Sequence, residues 1–148
     1  MSRRLPAKKQ PLKRLPLCVL VRQAEKHESQ QQFIATNEYA HMVWHALNRA
    51  VFGGVLEFPD KIVVQNRKKW DFWGECEGWQ RIRRGEHYTK VIRIHKTLPS
   101  AKKFIEIMAH EMVHQYEWER QGIMTHGKNF FAWKDKLAEK GIPLSICV

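Results

Sequence analysis

The segment 101–121 has the hydrophobic periodicity of an α-helix and carries two histidines four positions apart. Residues at that spacing lie about 40° apart around a helix axis, so His110 and His114 share one edge. The apolar residues of the segment form a broad arc on the other side, made by Phe104, Ile105, Met108, Met112, Val113 and Tyr116. We therefore expect both imidazoles to point away from the packed side of the helix, within reach of one metal ion.

Glu111 follows the first of these histidines and is expected to lie beside the second. Two neutral histidines that bind zinc, next to a glutamate that takes a proton from water, form the HExxH pattern of zinc hydrolases. The same five-residue pattern also arises by chance on helices with two solvated histidines. A third ligand elsewhere in the chain is what separates a metal site from that simpler interpretation.

The third ligand is predicted to be His126, since a catalytic zinc ion needs three protein ligands. It is the only histidine in the sequence after His114, and a turn through Gly122–Thr125 would bring it back over the helix. Glu139, on a following helix, remains an alternative ligand. We therefore predict a zinc site formed by His126 and the two helix histidines, with Glu111 as the general base.

Other residues near the pattern receive different interpretations. The extended HExxHxxGxxH form would require a glycine at position 117 and a histidine at position 120, where the chain has Glu117 and Arg120. Glu117 is expected to lie on the helix surface or to support a histidine ligand. His41 and His45 are also four positions apart, but no glutamate follows the first of them, so we do not predict a metal pair there.

The spacing of these motifs resembles the SprT-like (Spartan-type) zinc metalloprotease family. After the HExxH segment, His126-Gly127 with Phe130 three residues further on opens a second amphipathic segment. Residues 50–59 resemble the end of that family's first helix and the loop into its first strand. Residues 91–95 resemble the strand that leads into the active-site helix.

The resemblance covers about residues 30–140 and implies a zinc-dependent endopeptidase that acts on proteins bound or crosslinked to DNA. It also implies a protein substrate and a DNA partner. The chain differs from many bacterial members because it contains no Cys-x-x-Cys pairs of a zinc ribbon, and it lacks the long tail of the eukaryotic members. These differences concern targeting and leave the predicted catalytic residues in place.

Composition limits the chain to one folded domain of 148 residues, with 43% hydrophobic and 11% aromatic residues. No apolar run approaches the length of a membrane span. Cys18, Cys76 and Cys147 are an odd number of cysteines without paired spacing, which indicates free thiols in a reducing compartment. We therefore expect a cytoplasmic protein, located in the host cell or the virion if the source is a virus.

The net charge of +11 is concentrated at the N-terminus, where residues 1–17 carry six cations and no acid. Prolines 6, 11 and 16 favour an extended chain there. We predict a basic, flexible arm over residues 1–22 and a metalloprotease domain over residues 23–148. Such an arm is either a solvated tail or a segment that docks on nucleic acid or in a virion.

A second basic region between Lys61 and Lys96 has ten cations, four acids and three interleaved tryptophans. Cations that follow a phosphate backbone, beside rings on which bases stack, form a surface for single-stranded DNA. The alternative is that the tryptophans belong to the core of a small sheet whose solvated face carries the lysines. A rival to the peptidase hypothesis therefore remains: a non-catalytic nucleic-acid-binding or structural protein, including a virion component.

The predicted fold class is α+β, with a small, mostly antiparallel sheet of three or four strands. The sheet packs against an N-terminal helix, the HExxH helix and a C-terminal helix. The N-terminal helix is predicted from a capping box at Ser29 to Gly53. The predicted strands are Lys61–Gln65, Trp70–Gly74, Trp79–Arg83 and His87–Lys96, with Leu17–Arg22 as a further short strand or coil and Phe130, Trp133 and Leu137 on one face of the last helix.

Overall fold

Five helices and five strands form the part of the chain that the computed structural model describes, residues 14–26, 32–66, 73–81 and 86–145. Their bounds are α1 Leu17–Lys26, β1 Phe33–Ile34, α2 Asn37–Ala50, β2 Lys61–Gln65, β3 Gly74–Arg81, β4 Glu86–His95, β5 Thr97–Leu98, α3 Ala101–Gln121, α4 Lys128–Phe131 and α5 Lys134–Ala138. The predicted α+β class is confirmed.

Strand β4 lies at the centre of a three-stranded sheet, between β2 on one side and β3 on the other. It pairs parallel with β2 and antiparallel with β3, while β1 and β5 form a separate antiparallel pair. Two of these three pairings are antiparallel, which agrees with the predicted sheet. The central strand has the most buried apolar residues: Val91, Ile92 and Ile94 are fully buried, and the sheet packs on α3.

Helix α3 has the bounds that the periodicity predicted. The Ser100 side chain caps its first turn by accepting a hydrogen bond from the backbone N–H of Lys103 at 3.0 Å. At the other end, Gly122 adopts a left-handed φ of 69°, and its N–H donates to the carbonyl of Trp118. A residue with a side chain would be strained in that conformation, so glycine ends the helix there.

The expectation that the histidine edge of α3 points away from the packed side is wrong. His110, Glu111 and His114 are 2%, 3% and 8% exposed. The segment that follows the helix folds back over this edge: the Phe130 ring lies 4.8 Å from the His110 ring, and the Ser145 carbonyl contacts the same imidazole. The histidine edge of α3 is therefore covered by protein, and its polar side chains face one another within the fold.

The N-terminal region differs from the prediction in two places. Residues 17–22, expected as strand or coil within the basic arm, form part of α1, whose Leu17, Leu20, Val21 and Ala24 are buried. The capping box at Ser29 lies outside the described residues. Helix α2 begins later, at Asn37, because Thr36 caps it by accepting from the N–H of Tyr39, and Phe33–Ile34 is a strand.

A single strand, β3, replaces the two predicted strands that end and begin near its glycines. Residues 70–72 and 82–83 of those predictions lie outside the described part of the chain. The glycines let β3 lie directly on α3. A Cβ at Gly74 would stand 2.7 Å from Cγ2 of Ile107, and one at Gly78 would stand 2.1 Å from Nε1 of Trp118.

Replacing Gly78 by alanine is expected to destabilise the fold by about 1–3 kcal/mol, the usual cost of overpacking. The indole N–H of Trp118, which the new methyl group would strike, donates to the carbonyl of Tyr88 at 2.8 Å. Either this bond breaks or the strand moves off the helix. Chemical denaturation measures the effect, with Gln80→Ala at an exposed position of the same strand as the control. Equal unfolding midpoints for the two variants would contradict this packing.

The C-terminal part contains two short helices, α4 and α5, where the sequence predicted one. A turn at Ala132 and Trp133 separates them. Phe130 and Leu137 are buried as predicted, and the Trp133 ring packs 4.8 Å from the Phe52 ring. Within the described part of the chain, no helix combines the length and the apolar character that crossing a membrane requires.

Candidate metal centre

The Nε2 atoms of His110, His114 and His126 form a nearly equilateral triangle. The three sides measure 3.2 Å between the first two, 3.0 Å between the second and third, and 3.1 Å between the third and first. Three nitrogens that bind one tetrahedral zinc ion at about 2.0–2.1 Å lie about 3.3 Å apart. The residues therefore fit a zinc ion, and the three histidines could hold a metal.

The hydrogen-bond partners of the Nδ1 atoms decide which tautomer His110 and His114 adopt. Nδ1 of His110 lies 2.9 Å from the Ser145 carbonyl oxygen, and Nδ1 of His114 lies 3.1 Å from Oε1 of Glu117. A carbonyl only accepts, and a carboxylate accepts likewise, so each Nδ1 carries the hydrogen. The lone pairs of both Nε2 atoms consequently face the centre of the triangle, where they repel one another unless a cation lies between them.

His126 reaches the centre from a loop, as the turn through residues 122–125 predicted. The left-handed Gly122 reverses the chain after α3, and the His126 ring then packs edge-on against Phe130 at 4.9 Å. Phe130 also lies 4.9 Å from the His114 ring, so one phenyl group contacts all three imidazoles. His126 is exposed, whereas the two helix histidines are buried.

Burial sets the charge of the two helix histidines. It lowers the pKa of His110 to about 4 and the pKa of His114 to about 3, and neighbouring imidazoles add to the effect in both cases. Both rings are therefore neutral near pH 7. A neutral imidazole is the form that binds a metal, so protons compete weakly for these two nitrogens.

Glu111 lies beside the triangle, with Oε1 3.9 Å from Nε2 of His110. Its side chain is almost fully buried. Burial, with a smaller contribution from the charge of Glu75, raises the pKa of Glu111 to about 8. A carboxyl group with a pKa near neutrality can both take up and release a proton at physiological pH.

The structure separates the remaining candidates from this centre. Glu139, the alternative third ligand, is exposed at the end of α5 and is not part of the cluster. His41 and His45 flank the ring of Phe58 instead, at 5.2 Å each, and do not join a metal-binding group among the described residues. Tyr116, a member of the apolar arc of α3, packs against aromatic residues 4.8–6.2 Å away.

Glu117 and Ser145 are the residues that support the ligands. The sequence suggested such a role for Glu117 as one of two possibilities, and its contact with His114 agrees with it. Ser145 was missed. It acts through its backbone carbonyl, which no side-chain pattern reveals, and only the return of the C-terminal segment onto α3 brings it to His110.

The tryptophans of the basic region have different surroundings. Trp79 is half-buried, and its ring stacks at 4.8 Å on Tyr88. Trp73 is 37% exposed and lies next to the strand that passes Glu111. Trp70 lies outside the described residues. Trp79 therefore resembles a packed sheet residue, while Trp73 is partly exposed with its ring 6.4 Å from that of His95.

Two cations of the same region, Arg93 and Lys90, are neutralised locally. Arg93 forms ion pairs with Glu75 and Glu77, and Lys90 pairs with Glu77 at 3.8 Å. These contacts lie on exposed or half-buried surface and are worth little individually. They leave the face of β3 and β4 less positive than the count of ten cations suggested.

The comparison with protein families identifies the chain. The model of the SprT-like family matches residues 40–148, which include the three histidines, Glu111 and both supporting residues. Neither the comparison with curated proteins nor that with solved structures gave a match. The matched stretch is more than half of the sequence and confirms the resemblance seen in its motifs. The chain belongs to the SprT-like family.

Proposed function

We propose that the protein is a zinc-dependent endopeptidase that cleaves proteins bound or crosslinked to DNA. The observation that carries this proposal is the buried Glu111 beside three convergent histidine nitrogens. A site that only holds a metal for structural reasons has no use for a carboxylate poised to exchange protons. Membership of the SprT-like family supports a metallopeptidase-like domain.

His110, His114 and His126 would hold the zinc ion, which supplies Lewis acidity to a peptide carbonyl and lowers the pKa of water. Glu111 takes the proton from the water that attacks the carbonyl carbon and hands it to the leaving amine. Its pKa of about 8, set by burial, decreases when a cation adds positive charge nearby. The carboxylate is then ionised and ready to accept the proton near pH 7.

The position of β3 supports a polypeptide substrate. It is one of the two outer strands of the three-stranded sheet among the described residues. It begins at Gly74, where an added Cβ would stand only 3.4 Å from Cγ of Glu111. The outer edge of a strand offers backbone donors and acceptors that an extended peptide can pair with. A peptide bound there would run past the general base.

Charge supports DNA as the partner that brings substrates to the enzyme. The chain carries a net charge of +11. A polyanion attracts such a chain over distances up to the Debye length. The free thiols of Cys18 and Cys76 agree with a reducing compartment, and we place the activity in the cytoplasm.

Deleting residues 1–13 is expected to make DNA binding less dependent on salt. The deletion removes the five cations Arg3, Arg4, Lys8, Lys9 and Lys13, and it leaves α1 intact because that helix begins at Leu17. Each phosphate that is no longer neutralised by a cation reduces the slope of log K against log salt by about 0.9 for duplex or about 0.7 for single-stranded DNA. A binding titration at several salt concentrations measures the slope. An unchanged slope would mean that the arm does not bind DNA.

Cleavage of a protein crosslinked to a DNA strand tests the proposal directly. The zinc-loaded protein is incubated with the crosslinked substrate and, separately, with the same substrate protein free of DNA. We expect fragments from the crosslinked protein, fewer from the free one, and none after a chelator removes the metal. Equal cleavage of both substrates would support the peptidase activity but overturn the proposed preference for proteins on DNA. Cleavage of neither would favour a non-catalytic, nucleic-acid-binding role.

A further inference from the structure

Glu117 is a buried acid on α3, one turn beyond His114, and each of its two carboxylate oxygens has a different partner. Oε1 lies 3.1 Å from Nδ1 of His114, and Oε2 lies 3.3 Å from Oγ1 of Thr125. The residue is 2% exposed. A buried acid loses its hydration, so these hydrogen bonds are its compensation.

The hydroxyl group of Thr125 extends this connection around His126. It donates to Glu117 and accepts from the backbone N–H of Gly127 at 3.3 Å. Thr125 and Gly127 are the residues immediately before and after the third histidine. One continuous set of hydrogen bonds therefore links a ligand on the helix to both sides of the ligand on the loop.

We propose that Glu117 is a positioning residue that sets His114 and His126 at the spacing a metal requires. This inference rests on the proposed metal site and deepens it. The loop needs such a tie because His126 is exposed and follows a chain reversal, whereas His110 and His114 are held by the helix itself. A ligand that is held in place before the metal arrives does not have to be ordered during binding.

The same contact strengthens His114 as a ligand. A carboxylate that accepts the Nδ1 hydrogen fixes the tautomer, orients the ring and increases the electron density at Nε2. Glu117 therefore makes Nε2 of His114 a stronger ligand, and through Thr125 it holds His126 in position. Removing such a partner typically lowers metal affinity by about 10–100-fold.

Competition for zinc between the full-length protein and a chromophoric chelator measures this affinity without any substrate. Glu117→Ala is expected to weaken zinc binding by about 10–100-fold. Glu117→Gln should recover most of the loss, since an amide oxygen can accept from His114 and the amide nitrogen can donate to Thr125. Glu139→Ala, which removes an exposed glutamate from the same domain, is the matched control and should bind zinc as the wild type does.

The exposed Thr125 provides variants that are expected to fold normally. Thr125→Val keeps the shape and loses the hydroxyl, so it should weaken zinc binding less than Glu117→Ala, and Thr125→Ser should bind like the wild type. If the hydroxyl group of Thr125 acts through its bond to Glu117, the double variant Glu117→Ala/Thr125→Val should bind zinc no more weakly than Glu117→Ala alone. Fully additive losses would overturn the link to the loop.

Unchanged zinc affinity in a folded Glu117→Ala would overturn the proposal, whatever the enzyme cleaves. A loss that Glu117→Gln does not recover would also overturn positioning by hydrogen bonds. The peptidase proposal fails separately, when the wild type binds zinc and cleaves no protein. Affinity and cleavage are different measurements, so either proposal can fail without the other.

Discussion

Replacing Glu111 by glutamine is expected to lower the rate of peptide-bond cleavage by about 10²–10⁴-fold, the usual cost of losing a positioned general base. Glutamine keeps the size and a polar head, but it cannot accept a proton from water. The loss should have a large effect because the Glu111 carboxylate is buried and lies 3.9 Å from Nε2 of His110. Initial rates on a protein substrate measure the effect.

The variant should keep its fold, its zinc and its DNA binding, because Glu111 is not a member of the histidine triangle. His114→Ala is the contrasting variant, which should lose zinc and activity together. Wild-type cleavage by Glu111→Gln would show that another group moves the proton, and the mechanism given above would then be wrong even though the fold is unchanged.

Replacing His126 by alanine is expected to remove most of the bound zinc. The variant leaves two nitrogens, 3.2 Å apart, where three converge in the wild type. We expect a larger loss of affinity than the about 10–100-fold typical of a residue that only supports a ligand. Metal analysis of the purified variant measures occupancy, and the control is His45→Ala, on a different helix and outside the cluster.

Acidification gives an independent check of the same site. Burial lowers the pKa values of His110 and His114 below the ordinary 6.5, so both rings stay neutral as the pH falls through that value. Protons should therefore displace zinc from these two rings only as the pH approaches the lowered pKa values near 4 and 3, which metal analysis at stepped pH measures. For the His126→Ala variant of the previous experiment, a zinc content equal to that of the wild type would remove His126 from the site and make Glu139 the candidate third ligand again.

Helix α3 and its histidine spacing were predictable because their signals are local. Ser100 can cap only the turn that follows it, and Gly122 adopts the left-handed conformation that ends a helix. The apolar arc of the helix lies within the same segment. The return of His126 was predictable for a related reason, since a few residues between it and the helix leave little freedom in where it can lie.

Which edges of α3 are buried was not predictable from periodicity. The wheel placed His110 and His114 opposite the apolar arc, and solvent was the simplest neighbour for a polar edge. The covering residues lie further along the chain, at Phe130 and Ser145, and reach the helix only through the tertiary fold. The carbonyl of Ser145 leaves no trace in the sequence, because every residue has one.

Two other errors have distinct causes. Gly74 was predicted to end one strand and Gly78 to lie between two strands, whereas both lie in β3, and Gly78 allows Trp118, from a distant segment, to approach the strand closely. Helix α1 did have a local signal: Leu17, Leu20, Val21 and Ala24 follow the three- and four-residue spacing of a buried helix face. The basic, proline-containing sequence before it outweighed that signal in the prediction.

Titration of the metal-free protein with zinc, followed by the rate of protein cleavage, tests the central claim most directly. We expect no cleavage before zinc is added, and a rate that rises linearly and levels off at one zinc ion per chain, because one triangle of nitrogens is present among the described residues. Cleavage that does not depend on added zinc would contradict the proposed site. Saturation at one zinc ion per chain without any cleavage would contradict the proposed activity.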